Sequence, residues 1–371
     1  MKQAVKEKVM IAVLWVFASL FLALCIVCFV RFRPTTVSFI DIGQGDACLI
    51  RAGREGNVLI DSGDEGSGTV LRNYFRLQNM RELDAVFLSH FHADHVTGVM
   101  ELMESGFPIK KIYIAAYTGT PELEPLVLNL AEEKHIPVQR LAAGETVSCG
   151  DARYEVLSPS REIADDNLNN SSMILRMECK NTSFLFTGDA ERDTEQAILA
   201  RGTDVHSTVL KVGHHGSDTS TGYLWLREVD PEYAVISVGK GNSYGHPTEA
   251  VLSRLRDAEV TTFRTDMQGD ITCTSDGMKV TFSVSRNADA NVFGSIGPNS
   301  TQKETQVPKN DAATAVQPVG QSYILNTNTK KFHYPSCGSV RQMKDSNKQF
   351  YTGSRNDVIA KGYVPCKKCN P

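Results

Sequence analysis

The chain has 371 residues, 41% of them hydrophobic and 22% charged, which is enough to bury a large core and too many for one small domain. Its nine cysteines are spread too unevenly for a disulfide scaffold, and a formal net charge of −4 neither points to nucleic acid nor excludes it. The charge is divided, however: Ser322 to Pro371 carries nine Lys and Arg against two Asp, a surplus of +7 that leaves −11 on the rest.

Val9 to Val30 is an uncharged apolar run, long enough as a helix to cross a hydrocarbon core of about 30 Å. Lys2, Lys6 and Lys8 precede it, and Arg31 and Arg33 follow, a difference too small to fix orientation. A cleaved signal peptide calls for a shorter apolar stretch and a small-x-small site. A lipoprotein signal at Leu22-Ala23-Leu24-Cys25 is weakened by the bulky Leu24. The expectation is an uncleaved, single-pass membrane anchor over residues 1–33 with the body outside the cell, or secretion if the segment is removed.

After Pro34, β-branched apolar runs predict strands over Thr36–Asp41, Asn57–Asp61, Asp84–Ser89, Met173–Glu178, Ser183–Thr187, Val209–Val212, Tyr233–Ser237, Val260–Arg264 and Met278–Val284. Helical periodicity falls on Leu123–Lys134, Glu191–Arg201, Leu224–Val229 and Thr248–Ala258. Together they predict a layered α/β body over residues 34–287. Within it Cys48, Cys149, Cys179 and Cys273 read as small buried hydrophobes. Residues 288–321 are dominated by Asn, Ser, Thr, Gln, Pro and Ala, the composition of a disordered linker. A cysteine-bearing unit, 322–371, follows.

Ser89-His90-Phe91-His92-Ala93-Asp94-His95 stands at the end of a predicted strand. Three imidazoles and a carboxylate in six residues are costly to bury unless something binds them. His90 and His92, two apart at a strand end, point the same way, while Asp94 and His95 turn toward a second point as a helix begins. One loop thereby offers two ligands to each of two cations. Imidazole with carboxylate suits Zn, with Mn or Fe as alternatives where more oxygen is present. Phe184 to Asp189 delivers another carboxylate through a Gly turn, Val209 to Ser217 delivers His214 and His215, and Tyr244-Gly245-His246-Pro247 delivers one more imidazole. Two cations about 3.5–4 Å apart can share a hydroxide nucleophile and offset charge at the attacked centre. Hydrolysis without a covalent enzyme intermediate is the expected reaction. Backbone amides at Gly216-Ser217 and Asn169–Ser172 are candidate donors to phosphate oxygens, which makes Asn170, Ser171 and Ser217 candidate substrate-binding residues; a plain turn is the alternative for Asn169-Asn170-Ser171-Ser172.

His-x-His-x-Asp-His after a strand, a later Gly-Asp and a later His resemble the metallo-β-lactamase superfamily. Ile40-Asp41-Ile42-Gly43-Gln44-Gly45-Asp46-Ala47, Leu59-Ile60-Asp61-Ser62-Gly63 and Val212-Gly213-His214-His215-Gly216-Ser217 look more narrowly like the C-terminal hydrolase domain of the ComEC competence family, over Thr35 to Ser285. The resemblance implies an αββα sandwich with the site at one edge of the paired sheets. It implies that His90, His92 and Asp189 hold one ion, that Asp94, His95 and Asp189 hold the other, and that Asp61 supports the metal loop by hydrogen bonds. A histidine common in the superfamily between the His-rich loop and the bridging Asp is replaced here by Asn169-Asn170-Ser171-Ser172. His215, with His214 as the alternative, is expected to fill that vacancy and His246 to complete the other ion. His214 is left to face substrate as a proton or hydrogen-bond donor beside Asp94. The family's association with DNA degradation during uptake implies a DNA phosphodiesterase or nuclease. The alternatives are a hydrolase of a phosphorylcholine ester, lactone or β-lactam, or a non-catalytic DNA-binding surface protein. With one predicted membrane segment the chain is not expected to form a DNA channel by itself, and nothing implies a protein partner.

In the tail, His333 and Cys337 precede Cys366-Lys367-Lys368-Cys369, a closed four-ligand set for one structural Zn in a segment too short for a large core. The tail resembles the small zinc-binding domain of the Ada DNA-repair family. A disulfide among these cysteines is the alternative. The lysines and arginines around them could meet phosphates or form a solvated face.

Overall fold

Alternate residues along the strands face two different cores, and this alternation generates the layers. The computed structural model describes residues 10–11, 13–22, 34–117, 121–160, 167–294, 321–327, 329–334, 337–341, 343, 347–366 and 369. The chain divides into two compact units, residues 1–298 and 299–371.

In the first unit the strands are β1 (Thr35–Phe39), β2 (Cys48–Arg51), β3 (Asn57–Ile60), β4 (Ala85–Leu88), β5 (Ile112–Ala115), β6 (Val138–Leu141), β7 (Thr146–Cys149), β8 (Ala152–Ser158), β9 (Ile174–Cys179), β10 (Thr182–Phe186), β11 (Val209–Lys211), β12 (Tyr233–Ile236), β13 (Thr261–Arg264), β14 (Ile271–Ser275) and β15 (Val280–Val284). One sheet runs β15-β14-β1-β2-β3-β4-β5-β6 and the other β13-β12-β11-β10-β9-β8-β7. Val37, Phe39, Ile50, Ile60 and Phe87 of the first sheet share a core with Leu175, Met177, Phe184, Phe186 and Val235 of the second. At its centre the Phe87 ring lies 4.8 Å from that of Tyr113 and 5.1 Å from that of Tyr154. Burying one such side chain is worth about 1.5–3 kcal/mol.

The opposite faces are covered by helices. Leu49, Leu59, Val86 and Leu88 pack under Ser67–Leu77, Ala93–Glu104 and Glu124–Glu133. Leu185, Leu210, Ala234 and Ile236 pack under Arg192–Ala200, Tyr223–Val229 and Glu249–Asp257. The result is helix, sheet, sheet, helix: the αββα sandwich.

Several elements were not read in advance. The helix Ser67–Leu77 buries only Leu71 and Phe75 among its large side chains, and β6 and β7 are mostly exposed. The expected linker boundary also moves. Residues 288–294 pack on the body, where Arg264 Nη1 donates to Val292 O at 2.8 Å and the Arg256 guanidinium covers the Phe293 ring at 5.1 Å. The rest of the expected linker, 295–320, lies outside the described residues. At the other end, 10–11 and 13–22 are helical and exposed. Among the described residues no helix is long and apolar enough to cross a membrane. The remaining parts of the expected anchor, including 23–30, lie outside the described residues.

Glu195, on the helix Arg192–Ala200, is buried and accepts hydrogen bonds from Thr221 N at 2.5 Å and Gly222 N at 2.9 Å, tying down the loop that leads into the helix Tyr223–Val229. Burial pushes its carboxyl up from 4.5 to about 7, against the pull of those two N–H groups. The folded chain therefore holds an extra proton between these values, and stability falls as pH rises through that window. Glu195→Gln removes the slope. In urea titrations at pH 5 and pH 8 the parent should lose roughly 2–3 kcal/mol more than the variant; equal losses would show that the carboxyl ionises normally.

The second unit is a small sheet in the order β18-β16-β17-β19, formed by β16 (Gln321–Asn326), β17 (Lys331–His333), β18 (Lys348–Gly353) and β19 (Val364–Pro365). Among the described residues its buried core includes Tyr323, Leu325, Phe332, Val358 and Tyr363. The helix Arg355–Ala360 starts with a capping box between Ser354 and Asp357.

Candidate metal centre

The site of the first unit is assembled where strands end. After β3 comes Asp61, after β4 the segment Ser89–His95, after β10 Asp189, after β11 His214 and His215, and after β12 the loop with His246. Gly188 makes the delivery of Asp189 possible: it sits at φ +50, and a Cβ there would lie 2.9 Å from Ser89 Cβ. His214 and His215 are themselves in the left-handed region, at φ 49 and 52, a conformation that surrounding contacts must hold in place.

Asp61 is hydrogen-bonded to the His-rich loop. It accepts from Ser89 N and Ser89 Oγ, both at 2.7 Å, and from His95 Nδ1 at 2.9 Å. With Nδ1 so engaged, His95 aims Nε2 at Asp189 Oδ2, 3.4 Å away, and at Asp94 Oδ1, 3.9 Å away. His215 donates from Nδ1 to Ser237 O at 3.0 Å, so its Nε2 points to Asp94 Oδ2 at 3.2 Å and Asp189 Oδ2 at 3.4 Å. The donor atoms of Asp94, His95, Asp189 and His215 all lie within 4.8 Å of one another. His95 Nε2, His215 Nε2 and Asp189 Oδ1 are buried and lack a hydrogen-bond partner, as ligand atoms aimed at a cation would be.

Electrostatics agree. Burial opposes charge on His95 and His215, yet Asp189 with Asp61 for the former, and Asp189 with Asp46 for the latter, hold both imidazoles well above their ordinary value. The carboxylates thus draw positive charge into the pocket, and divalent cations supply it equally well. His90, fully buried, is pushed the other way by desolvation and then by His95, which keeps it in the neutral form that binds metal. Its Nε2 lies 2.9 Å from His92 Nδ1, and Ser89 Oγ and Ser172 Oγ meet its Nδ1 at 3.0 and 3.4 Å.

The grouping differs from the expectation: His246 does not gather with Asp94, His95 and Asp189, and among the described residues His90 and His92 do not gather with Asp189. His215 joins Asp94, His95 and Asp189 instead of completing the His90 and His92 pair, because Ser237 O turns its ring that way. His214 is more exposed, with Nε2 3.7 Å from Asp189 Oδ2 and Nδ1 3.2 Å from Thr219 Oγ1. His246 has a buried Nδ1 without a partner, and its ring centroid lies 5.6 Å from that of His214. These groups open on a cleft of about 350 Å³ whose wall includes Gln44, Asp64, Asn169 and Tyr244.

Asn170 and Ser171 have another occupation. Asn170 Oδ1 accepts from Glu191 N at 3.2 Å and Thr194 Oγ1 at 3.1 Å, and Ser171 Oγ donates to Leu168 O at 2.6 Å. The Asn170 side chain braces the turn against the next helix, the Ser171 hydroxyl closes the turn on itself, and Asn169 is the one on the cleft wall. Ser217 is buried, with its Oγ taken up by Thr219. Sequence reading missed Ser172, whose Oγ accepts from Asp189 N at 3.1 Å. It also gave no role to Asp46, which stands in the Ile40–Ala47 motif, or to Lys211, whose signal is a lysine inside the apolar run Val209–Val212.

In the second unit the donor atoms of His333, Cys337, Cys366 and Cys369 lie within 4.8 Å of one another. The cysteines are free thiols, and His333 Nδ1 is buried without a partner. The set suits one tetrahedral Zn.

An αββα sandwich with clustered His and Asp at its strand ends defines a class of metal-centred proteins. The family described as the metallo-beta-lactamase superfamily matches residues 40–240, and the chain belongs to it. Its members are generally metal-dependent hydrolases, and the fold implies divalent metal ions. Among curated proteins the chain is similar to ComE operon protein 3 of Bacillus subtilis, with 34% identity over 67% of this chain and 34% of that one. It is similar to the competence protein ComA of Neisseria gonorrhoeae, with 32% identity over 65% of this chain and 33% of that one. It is also similar to Recombination protein 2 of Haemophilus influenzae, with 31% identity over 64% of this chain and 29% of that one. These are competence proteins of the ComEC family. The chain spans about a third of the length of these relatives.

Proposed function

We propose that this chain is a metal-dependent phosphodiesterase or nuclease that acts on DNA outside the cell membrane. The observation that carries the reading is the convergence of Asp94, His95, Asp189 and His215 beside an open cleft, in a chain similar to competence proteins. Bound there, a pair of divalent cations supplies Lewis acidity and a water acidic enough to ionise near neutral pH. Asp94, His95, Asp189 and His215 would hold one ion, His90 and His92 would contribute to the other, and Asp189 would be the carboxylate shared by both. Asp94 is partly exposed to the cleft and both ligates and faces substrate. His214, tethered through Nδ1 to Thr219, is placed to donate a proton to the leaving oxygen. The Asn169 side chain on the wall can meet a phosphate oxygen. Residues 1–33 anchor the body to the membrane, as their uncharged apolar run favours. The tail holds one Zn, and its basic residues draw the nucleic-acid backbone to an otherwise acidic protein.

The test is a substrate panel. The full chain, loaded with Zn or with Mn, is given single-stranded DNA, duplex DNA, bis-nitrophenyl phosphate and nitrocefin. Turnover of the phosphodiesters is the expected result. Turnover of nitrocefin alone would assign the site to amide hydrolysis and overturn the reading.

A further inference from the structure

We infer that Asp46 and Lys211 form a buried charge pair whose work is to position His215 as a metal ligand. The inference rests on the reading of the site as a metal centre. Lys211 and Asp46 are 3% and 6% exposed. The Lys211 ammonium, on β11 in the middle of the second sheet, donates to Asp46 Oδ2 at 2.6 Å and to Val212 O at 2.8 Å. It is sealed from the cleft and cannot touch substrate.

Asp46 comes from the opposite sheet, on the connection between β1 and β2. That connection is pressed onto the metal loop: Asp46 N donates to Asp94 O at 3.2 Å, and a Cβ on Gly45, at φ +123, would lie 2.4 Å from the same oxygen. With Oδ2 held by Lys211, the other carboxylate oxygen lies 3.3 Å from His215 Nδ1. The hydrogen bond of that Nδ1 goes to Ser237 O, so Asp46 acts on the ring by charge. It fixes the proton on Nδ1, and this leaves the lone pair of Nε2 facing Asp94 and Asp189. Asp61 does the same for His95 by a direct hydrogen bond. The two imidazoles that flank Asp189 are therefore each backed by a buried carboxylate on the far side of the ring, an arrangement that orients metal ligands and raises their basicity.

A buried ion pair adds little to stability compared with apolar side chains of similar size, whereas removing one partner strands the other. This separates a positioning role from a staple between sheets. The experiment compares the full chain with Asp46→Asn, Lys211→Met and the double variant, following thermal unfolding of metal-free protein, Zn affinity by chelator competition, and the visible spectrum with Co²⁺. Lys211→Met should unfold at lower temperature, and the double variant should recover. Zn affinity of the first unit should fall about 10–100-fold in Asp46→Asn and stay low in the double variant, with an altered Co²⁺ spectrum in both. Parental affinity and spectrum in the double variant would show that the pair merely joins the sheets and would overturn the inference. Failure of the parent to take up any ion beyond that of the tail is a separate result, which removes the metal-centre reading itself.

Discussion

Asp189→Asn should reduce phosphodiester hydrolysis by more than about 100-fold, because even partners that only support a metal ligand are worth 10–100-fold. Asp189 Oδ2 lies 3.4 Å from both His95 Nε2 and His215 Nε2, and 3.7 Å from His214 Nε2. No other carboxylate oxygen in the site is placed near all three imidazoles. Asparagine keeps the shape, and the backbone bond from residue 189 to Ser172 Oγ does not depend on the side chain, so the fold should survive. Elemental analysis of the full chain provides the second readout: about three ions in the parent, two in the first unit and one in the tail, against the tail ion and at most one other in the variant. Activity within tenfold of the parent, with ion content unchanged, would show that Asp189 is not the shared ligand.

Asp61→Asn should weaken metal binding about 10–100-fold and also lower stability by roughly 2–4 kcal/mol, although residue 61 is not itself a proposed ligand. Its carboxylate accepts three hydrogen bonds in a buried setting, two from Ser89 and one from His95. An amide can accept from Ser89 N, but its NH₂ meets the His95 N–H donor against donor, and the Ser89 hydroxyl must turn away to accept from it. Asparagine tolerates the left-handed backbone at residue 61, φ 54, so the effect reports lost hydrogen bonds and not strain. Urea unfolding of metal-free protein measures the first cost, and chelator competition measures the second. A variant that keeps parental stability would show that the Ser89–His95 loop holds itself.

The candidate ligands of the site are legible in the residues because they are local. His90, His92, Asp94 and His95 lie within six positions, directly after a strand whose apolar run is unmistakable, and their side-chain types alone restrict what they bind. The same holds for the tail, where Cys366 and Cys369 are three apart. Period-two strands alternating with helical stripes gave a layered α/β body, and the αββα order came from the family resemblance. β6, β7 and the helix Ser67–Leu77 were not read in advance: the two strands have four residues each and bury little, and the helix buries Leu71 and Phe75, four apart, among polar residues.

What only the tertiary structure decided is which distant residues meet. Nothing in the spacing says that Ser237 O turns His215 toward Asp94 and Asp189, or that Asn169 faces the cleft while Asn170 braces the next helix. Asp46 and Lys211 are 165 positions apart in sequence and 2.6 Å apart in space. Composition and periodicity determine which side chains must be buried and what they can bind. Sheet order and the closing of one sheet on the other determine which of them share a few ångströms, and a metal centre depends on those distances.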